Sequence, residues 1–588
     1  MSDAALGITR SIAGQPWHWR RASADMASEN LAPDDLVTQL LLARGVARDD
    51  LDRQRAPTLR GFMPDPSLFR DMDAAAARLA DAVEKGEAVT IFGDYDVDGA
   101  TSAALLVRLL RGLGLPVGAY IPDRLMEGYG PSGAALVKIG EAGSKLVVTV
   151  DCGAQAFDAI AEAKAAGVEV IVVDHHQCAT TLPAALALVN PNRLDEEADA
   201  AIHGNLAAVG VAFLLGAALL RTLRARGFFA SRAEPALIEL LDLVALGTVA
   251  DVARLTGFNR ALVTQGLKVM ARRGNIGLAA LMDAARLTKP PGASDMGFAL
   301  GPRINAGGRV GKSDLGVRLL TTGDPQEAAE IAAELNRLNE ERRAIEAAVL
   351  DQAIEASAAC GNAPVAIVAG EGWHPGVIGI VAGRLKERLH RPAIVIALDE
   401  DGVGKGSGRS ISGVDLGAAI LAAKESGLLV AGGGHAMAAG LTVEKDKVDA
   451  LGAFLSDRLA ADVERASGDK SLLIDAVLAP RGINPLWCDA IESAGPYGAG
   501  WPAPRVATGP VRIVESGIVG ADHVRLIVAG DDGACFKAVA FRSAETELGQ
   551  ALLHARGRKL WLAGRAKRDD WGSRPAAELH LEDAAWAD

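Results

Sequence analysis

Between residues 71 and 323, short apolar runs alternate with Ala- and Leu-rich stretches of helical period, and three of those runs end on acidic or histidine side chains. Val89 to Phe92 leads into GDYDVDG at 93–99, Leu146 to Val150 into DCG at 151–153, and Val168 to Val173 into DHH at 174–176. The alternation predicts βαβ units built around a mostly parallel sheet. In such a sheet, ligands gather in the crevice beyond the carboxyl ends of the strands. Three strand ends then deliver Asp94, Asp96, Asp98, Asp151, Asp174, His175 and His176 to one place. Ionised carboxylates repel one another at that density unless cations lie between them. A cluster of divalent metal ions, and so a metal-dependent hydrolase, is the simplest chemistry the pattern supports.

A further apolar helical pattern, 235–251, closes on Asp251 within GTVAD. A lone carboxylate at the end of a greasy segment requires a partner. Five carboxylates (Asp94, Asp96, Asp98, Asp151, Asp251) are nearly balanced by two divalent ions, whereas one ion leaves most of the charge uncompensated. Oxygen-rich ligands suit Mg²⁺ or Mn²⁺, and neutral imidazole from His175 favours Mn²⁺. Two ions about 3.5–4 Å apart serve an in-line phosphoryl displacement, with Asp151, the lone acid at its strand end, as the natural bridge. Side chains at i, i+2 and i+4 of an extended segment share a face, which predicts that Asp94, Asp96 and Asp98 converge.

The 588 residues are enough for three or four domains. Residues 1–70 form a lead-in whose Trp17, His18, Trp19, Arg20 and Arg21 dock on the main body or contact a backbone phosphate, and 71–323 form the metal-binding domain. Asp324 and Pro325 open a helix as N-cap and first residue. Its pattern runs to about residue 359, a strut about 50 Å long between two lobes. Residues 360–465 resume an α/β pattern, with strands at Val365 to Ala369 and Ala393 to Ala397 and a helix at Val377 to Leu389. It is punctuated by the glycine-rich GKGSGRS at 404–410 and GGGHAMAAG at 432–440. From 466 to 588, short alternating runs and an Asp532-Gly533 hairpin signal predict a small β-barrel.

A net charge of −13 excludes a globally basic nucleic-acid coat protein, so any nucleic acid is held in a local groove. Five scattered cysteines without a CxxC pair predict a cytoplasmic protein with neither a disulfide framework nor a thiolate zinc site. Cys152, beside Asp151, reads as a small buried filler. No basic start leads into an apolar stretch as in a signal peptide. The longest apolar run, Leu206 to Leu220, falls short of the ~20 residues a membrane span needs and reads as a buried helix.

GDYDVDGATS, VDCG, VVDHH and GTVADV, in that order, resemble the DHH phosphoesterase superfamily, and GGGHAMAAG is similar to the glycine-rich signature of its accompanying domain. RLMEGYG at 124–130, GPRINAGGR at 301–309 and EGWHPGVIGIVAGRL at 371–385 resemble the RecJ family of bacterial single-strand-specific DNA exonucleases. The motifs cover roughly residues 70–440. The resemblance implies an α/β multidomain fold: a parallel-sheet DHH domain, a long interlobe helix, a smaller α/β DHH-associated domain and an OB-like barrel. It implies 5′→3′ hydrolysis of single-stranded DNA to 5′-mononucleotides with two Mn²⁺ or Mg²⁺ ions, in DNA repair and recombination.

On that resemblance Asp96 and Asp98 each hold one ion, Asp151 bridges both, and His175 and Asp251 complete the second ion's shell. His176 contacts the scissile phosphate or positions water. Asp94 stands where some members use another ligand, and Asp174 orients His175. Arg124, Ser407 and Arg409 form a 5′-phosphate pocket, His435 contacts phosphate, and Arg303 touches DNA near the exit from the duplex. The family's Gln near Arg343 is absent from the run NEERR. The barrel would grip the strand by Arg512, Arg525, Lys537, Arg565, Lys567 and Arg568, with Phe536, Trp561 and Trp571 for stacking. Implied partners are single-stranded DNA, a single-stranded-DNA-binding protein, an unwinding helicase and recombination or mismatch-repair factors; the chain is expected to be a monomer. Superfamily members acting on oligoribonucleotides, cyclic dinucleotides or pyrophosphate are shorter. A non-catalytic replisome scaffold would have a degenerate site, whereas every ligand position here is filled.

Overall fold

The computed structural model describes residues 4–20, 33–124, 126–468, 471–569 and 575–587; Arg21 and Trp571 lie outside them. The chain forms two compact units. One comprises residues 64–253 and 266–469, the other 1–63, 254–265 and 470–588.

The first unit is built on two sheets. Strands β1 (Val89–Gly93), β2 (Val117–Tyr120), β3 (Leu146–Val150), β4 (Glu169–Val173) and β5 (Ala187–Val189) form a parallel sheet in the order β2-β1-β3-β4-β5. Every residue of β3 is buried, as expected of a central parallel strand covered on both faces. Helix α1 (Val97–Gly112) follows β1, and α2 (Ala208–Ala225) packs against it. By length and composition α2 would span a membrane, yet 72% of it is buried inside the protein. Its apolar surface belongs to the core. Helix α3 (Leu241–Ala250) ends with Asp251 as its C-cap.

Asp324 accepts a hydrogen bond from the Gln326 N–H at 2.9 Å and caps α4 (Pro325–Ser357), 33 residues long. Beyond it lies a five-stranded sheet. Its strands are β6 (Ala366–Glu371), β7 (Ala393–Leu398), β8 (Val403–Arg409), β9 (Ala431–His435) and β10 (Ala438–Glu444), in the order β9-β10-β8-β7-β6. Helices α5 (Ile378–Leu389) and α6 (Leu416–Glu425) pack against its strands. The two glycine-rich segments are strands of this sheet and not interruptions of it. In β8 the glycines alternate with Lys405, Ser407 and Arg409, and the alternation has a steric cause. A Cβ at Gly406 would stand 2.6 Å from Leu441, and one at Gly408 2.7 Å from Leu416. One face of β8 is thus pressed against apolar side chains, and the opposite face presents Ser407 and Arg409.

In the second unit, strands Val506–Val519, His523–Gly530, Cys535–Ala540, Ala576–Trp586 and Lys559–Asp569 pair in that order, and the last pairs back to the first. The result is a closed five-stranded barrel. Trp17–Trp19 runs parallel to Leu472–Ile474, and the buried Trp17 indole donates to Asp583 at 2.9 Å. The N-terminal lead-in is therefore part of the barrel unit.

Candidate metal centre and nucleic-acid cleft

The acids of GDYDVDG do not converge along an extended face. β1 stops at Gly93 and α1 begins at Val97, so they lie on a strand-to-helix turn. Asp96 is the N-cap of α1 and accepts from the Gly99 N–H at 3.1 Å. Asp98 sits in the first helical turn. Gly99 allows the turn to close, because a Cβ there would lie 2.4 Å from the Asp94 carbonyl oxygen. Asp98 accepts the N–H groups of Ala208 (2.6 Å) and Val209 (2.9 Å), first-turn donors of α2 that have no partner within the helix.

Ligand atoms of Asp94, Asp96 and Asp151 lie within 4.8 Å of one another, as do those of Asp98, His175 and Asp251, and those of Asp151, His175 and His176. Asp151 links the groups, since its Oδ1 is 3.2 Å from His175 Nε2. His175 also stands 3.9 Å from both Asp98 and Asp251. The backbone of Asp151 has a φ of 60°, a left-handed conformation uncommon outside glycine. Such strain collects where a side chain must be aimed.

Charge is far from balanced among these side chains. Burial, then Asp96, pushes Asp94 up to about 8. Burial, again followed by Asp96, pushes Asp251 up to about 7. Asp98 and Asp151 are held well above the carboxylate range by burial and by their acidic neighbours. Asp251 lies at the C-terminal end of α3, where the helix dipole also disfavours an anion. Burial, then His176, lowers His175 to about 4, leaving its imidazole neutral and able to ligate. Oδ1 of Asp94 and Oδ1 of Asp151 are buried without a hydrogen-bond partner. Buried orphan oxygens of one sign among oxygen and imidazole donors fit divalent cations, and the donor set suits Mn²⁺ or Mg²⁺.

Asp174 accepts from the backbone N–H groups of Ala154 (2.9 Å), His175 (2.7 Å) and His176 (3.1 Å), and pairs with the His176 ring at 2.7 Å. Burial pushes this carboxyl up, but the His176 contact, the Ala154 N–H and His175 together outweigh it and hold Asp174 at about 2. The same contact overcomes burial at His176 and raises it to about 9. The histidine ring that Asp174 orients is thus that of His176; at His175 its carboxylate bonds only the backbone.

A cleft of about 710 Å³ opens beside this centre. One wall is Tyr129, Gly153, Asp174 and His176, the other Gly433, Gly434, the exposed His435 and Gly440. Arg409 donates to the Ser407 hydroxyl at 3.1 Å, and a Cβ on Gly379 would stand 3.0 Å from both side chains. Gly379 lies in the first turn of α5, so that turn packs directly on Ser407 and Arg409 with no side chain between them. Arg124 stacks on the Tyr95 ring at 5.0 Å. Burial, then Arg124 and Arg342, lowers Arg309 to about 10, and Arg309 donates to the Gly376 carbonyl at 3.1 Å. Arg303 stands apart from this group, donating to Asn336 and to the Ala299 carbonyl beside α4.

Arg309 and Tyr129 were not singled out from the sequence. The bracketing of Tyr129 by Gly128 (φ 85°) and Gly130 (φ 77°) was the available signal. On the barrel, the expected basic grip is largely neutralised. Arg525 pairs with Glu515, Lys537 with Asp569 and Glu578, Arg565 with Glu582, Lys567 with Glu492, and Arg568 with Asp489. Phe536 is buried core, whereas Phe541, which the sequence reading passed over, is 50% exposed.

Three known domains match in order: the DHH family N-terminal domain over 88–248, the DHHA1 domain over 362–461 and the RecJ OB domain over 474–583. Single-stranded-DNA-specific exonuclease RecJ of Dickeya dadantii (strain 3937) is 39% identical over 87% of this chain and 89% of its own length. That of Escherichia coli K12 is 38% identical over 86% and 88%. The crystal structure of RecJ from Thermus thermophilus in complex with Mn²⁺ superposes with a TM-score of 0.76 at 29% identity, covering all of this chain and 79% of that one. With the same three domains in sequence and such identity over nearly the full length of its relatives, the chain belongs to the RecJ family of single-stranded-DNA-specific exonucleases.

Proposed function

We propose that the chain degrades single-stranded DNA from the 5′ end to 5′-mononucleotides, using two Mn²⁺ or Mg²⁺ ions, in the cytoplasm. Residues 71–323 carry the chemistry, 324–359 connect, 360–465 hold the substrate's phosphate, and 466–588 bind nucleic acid. The observation that carries this reading is Asp151, which has a ligand atom within 4.8 Å of those of Asp94 and Asp96 and one within 4.8 Å of those of His175 and His176, and whose buried Oδ1 accepts no hydrogen bond.

Asp94, Asp96 and Asp151 would hold one ion, and Asp98, Asp151, His175 and Asp251 the other. When bound, the pair lowers the cost of deprotonating the attacking water and neutralises charge at the phosphate. His176, kept protonated by Asp174, contacts the scissile phosphate from the cleft wall. Arg124, Ser407, Arg409 and the α5 N-terminus hold the 5′-phosphate by charge-assisted hydrogen bonds, with Arg309 behind them. His435 touches the backbone from the opposite wall, and Arg303 meets the strand before it enters. A cleft walled on both sides admits one strand and excludes a duplex. The expected partners are a single-stranded-DNA-binding protein, a helicase that opens ends, and recombination or mismatch-repair factors. The protein acts as a monomer, which light scattering tests.

A 5′-labelled oligonucleotide, single-stranded or annealed, with Mn²⁺, Mg²⁺ or EDTA, tests the reading. Immediate release of labelled mononucleotide from the single strand, abolished by EDTA, is the expected result. Release from the 3′ end first, or cleavage in EDTA, would overturn it.

A further inference from the structure

The Tyr129 side chain sits between two of the motifs that carry the metal ligands, DCG and DHH. Its hydroxyl donates to the Asp151 main-chain carbonyl at 3.0 Å. The same oxygen is 3.3 Å from Nδ1 and 3.4 Å from Nε2 of His176, whose ring meets the tyrosine ring edge-on with centroids 5.8 Å apart. The residue is 56% exposed along the cleft, so its ring is not buried as core. Two left-handed glycines, Gly128 and Gly130, shape the chain around it. These are features of a residue placed for its hydroxyl and not for burial of its ring.

The contact falls on a sensitive point. Asp151 is held at a φ of 60°, a conformation that costs free energy and persists only where its surroundings enforce it. A hydrogen bond to the carbonyl of that residue fixes the peptide plane from which the carboxylate projects. His176 has one anchor in Asp174, on Nδ1. The Tyr129 oxygen, nearly equidistant from the two ring nitrogens, is a second contact that bounds its rotation.

We propose that Tyr129 is a positioning residue, whose hydroxyl locks the strained backbone of Asp151 and the ring of His176 in register, so that the bridging carboxylate and the phosphate-facing imidazole are set by one oxygen. The proposal rests on the assignment of Asp151 and His176 made above. Among the described residues, none of the 5′-phosphate side chains Arg124, Ser407 and Arg409 contacts this hydroxyl, so seating of the strand's end is unaffected by its loss.

Tyr129→Phe removes only the hydroxyl. Support for outer ligands of metal sites is worth 10–100-fold in affinity or activity. The expected result is a fall of about 10-fold or more in kcat on single-stranded DNA, an unchanged KM, and a matching fall in Mn²⁺ affinity by calorimetry without DNA, with the thermal midpoint of the metal-free protein unchanged. Wild-type kcat together with wild-type Mn²⁺ affinity would overturn the proposal. So would a rise in KM at constant kcat, which would make Tyr129 a substrate-binding group only. Tyr129→His, which restores a donor near the carbonyl, is expected to recover part of the Mn²⁺ affinity; no recovery together with a lowered thermal midpoint in both variants would reduce the role to folding. A wild-type protein that binds Mn²⁺ but leaves single-stranded DNA intact would sink the exonuclease reading, and the Mn²⁺ titration would still judge Tyr129.

Discussion

Both units bury charge, but they do so in opposite ways. In the barrel unit, Asp475 has a fully buried side chain that meets Arg20 at 2.8 Å, Arg44 at 3.3 Å and the Arg505 N–H at 2.9 Å. Arg260, with no exposure, donates to the carbonyls of Ala494, Gly495 and Pro496 and stacks on Trp501. Asp475 and Arg260 there meet opposite charge or a set of dipoles, although Nε and Nη1 of Arg44 and Nε of Arg260 have no hydrogen-bond partner. In the catalytic unit, Asp94, Asp98 and Asp151 are buried against one another, and two of their oxygens have no donor. Buried charge that meets its opposite is architecture. Buried charge of a single sign calls for a counter-ion, and the contrast separates scaffold from function without reference to any relative.

The comparison breaks most visibly at Asp151. Asp151→Asn is expected to lower the rate of strand degradation by roughly 1,000-fold or more, as for other members of a catalytic unit, while the metal-free protein melts no lower than wild type because a repulsion has been removed. A melt lowered by several degrees would mean that Asp151 holds the fold.

Asp475→Asn is the counterpart. Removing one member of a buried ion pair leaves the others uncompensated, so a loss of about 3 kcal/mol in urea unfolding is expected, with Mn²⁺ affinity unchanged. A smaller effect comes from Asp174, an acid that is both buried and satisfied within the catalytic unit. Asp174→Asn keeps most backbone contacts but loses the charge on His176, and kcat should fall by about 10–100-fold. Retention of full activity would remove His176 from the mechanism.

The smallest effect sharpens the rule. Asp242, buried in the first turn of α3, lies outside the metal groups and is raised by burial from 3.8 to about 6. A carboxyl whose folded pKa exceeds its unfolded value favours the folded state most at low pH. That contribution is present below about pH 4 and is lost as the pH rises through about 6. Asp242→Asn should flatten this slope and raise stability at pH 7, on the order of 1 kcal/mol, with unchanged nuclease activity. A steeper slope in the variant would refute the assignment.

The strand ends at Asp94, Asp151 and Asp174 were legible because an apolar run halted by an acid needs no partner to be noticed. Asp251 was legible for the same reason at a helix end. What failed was local geometry. Three acids at alternate positions fit an extended face, but Gly99 folds the segment into a turn before α1, and one glycine is a weak signal in a chain holding 66 of them. The glycines of β8 were legible only as punctuation of the α/β pattern, because their reason lies at Leu416 and Leu441, outside the segment. The ion pairs that neutralise the barrel join residues far apart in sequence, such as Lys567 and Glu492. Trp17 and Asp583 lie 566 positions apart. No pattern in a window of the chain reaches across such a distance.

The path of the chain has its own consequence. It passes from one unit to the other after residues 63, 253, 265 and 469. Modules added during evolution, or removed at the bench, usually depend on a single junction. Here, deleting residues 470–588 would also strip Trp17 of Asp583 and Arg260 of its three carbonyls. The stranded segment at 254–265 begins three residues after Asp251. A truncated protein is therefore a damaged one, and its lost activity would say nothing about how the barrel holds DNA; point substitutions on an intact chain are needed to learn that.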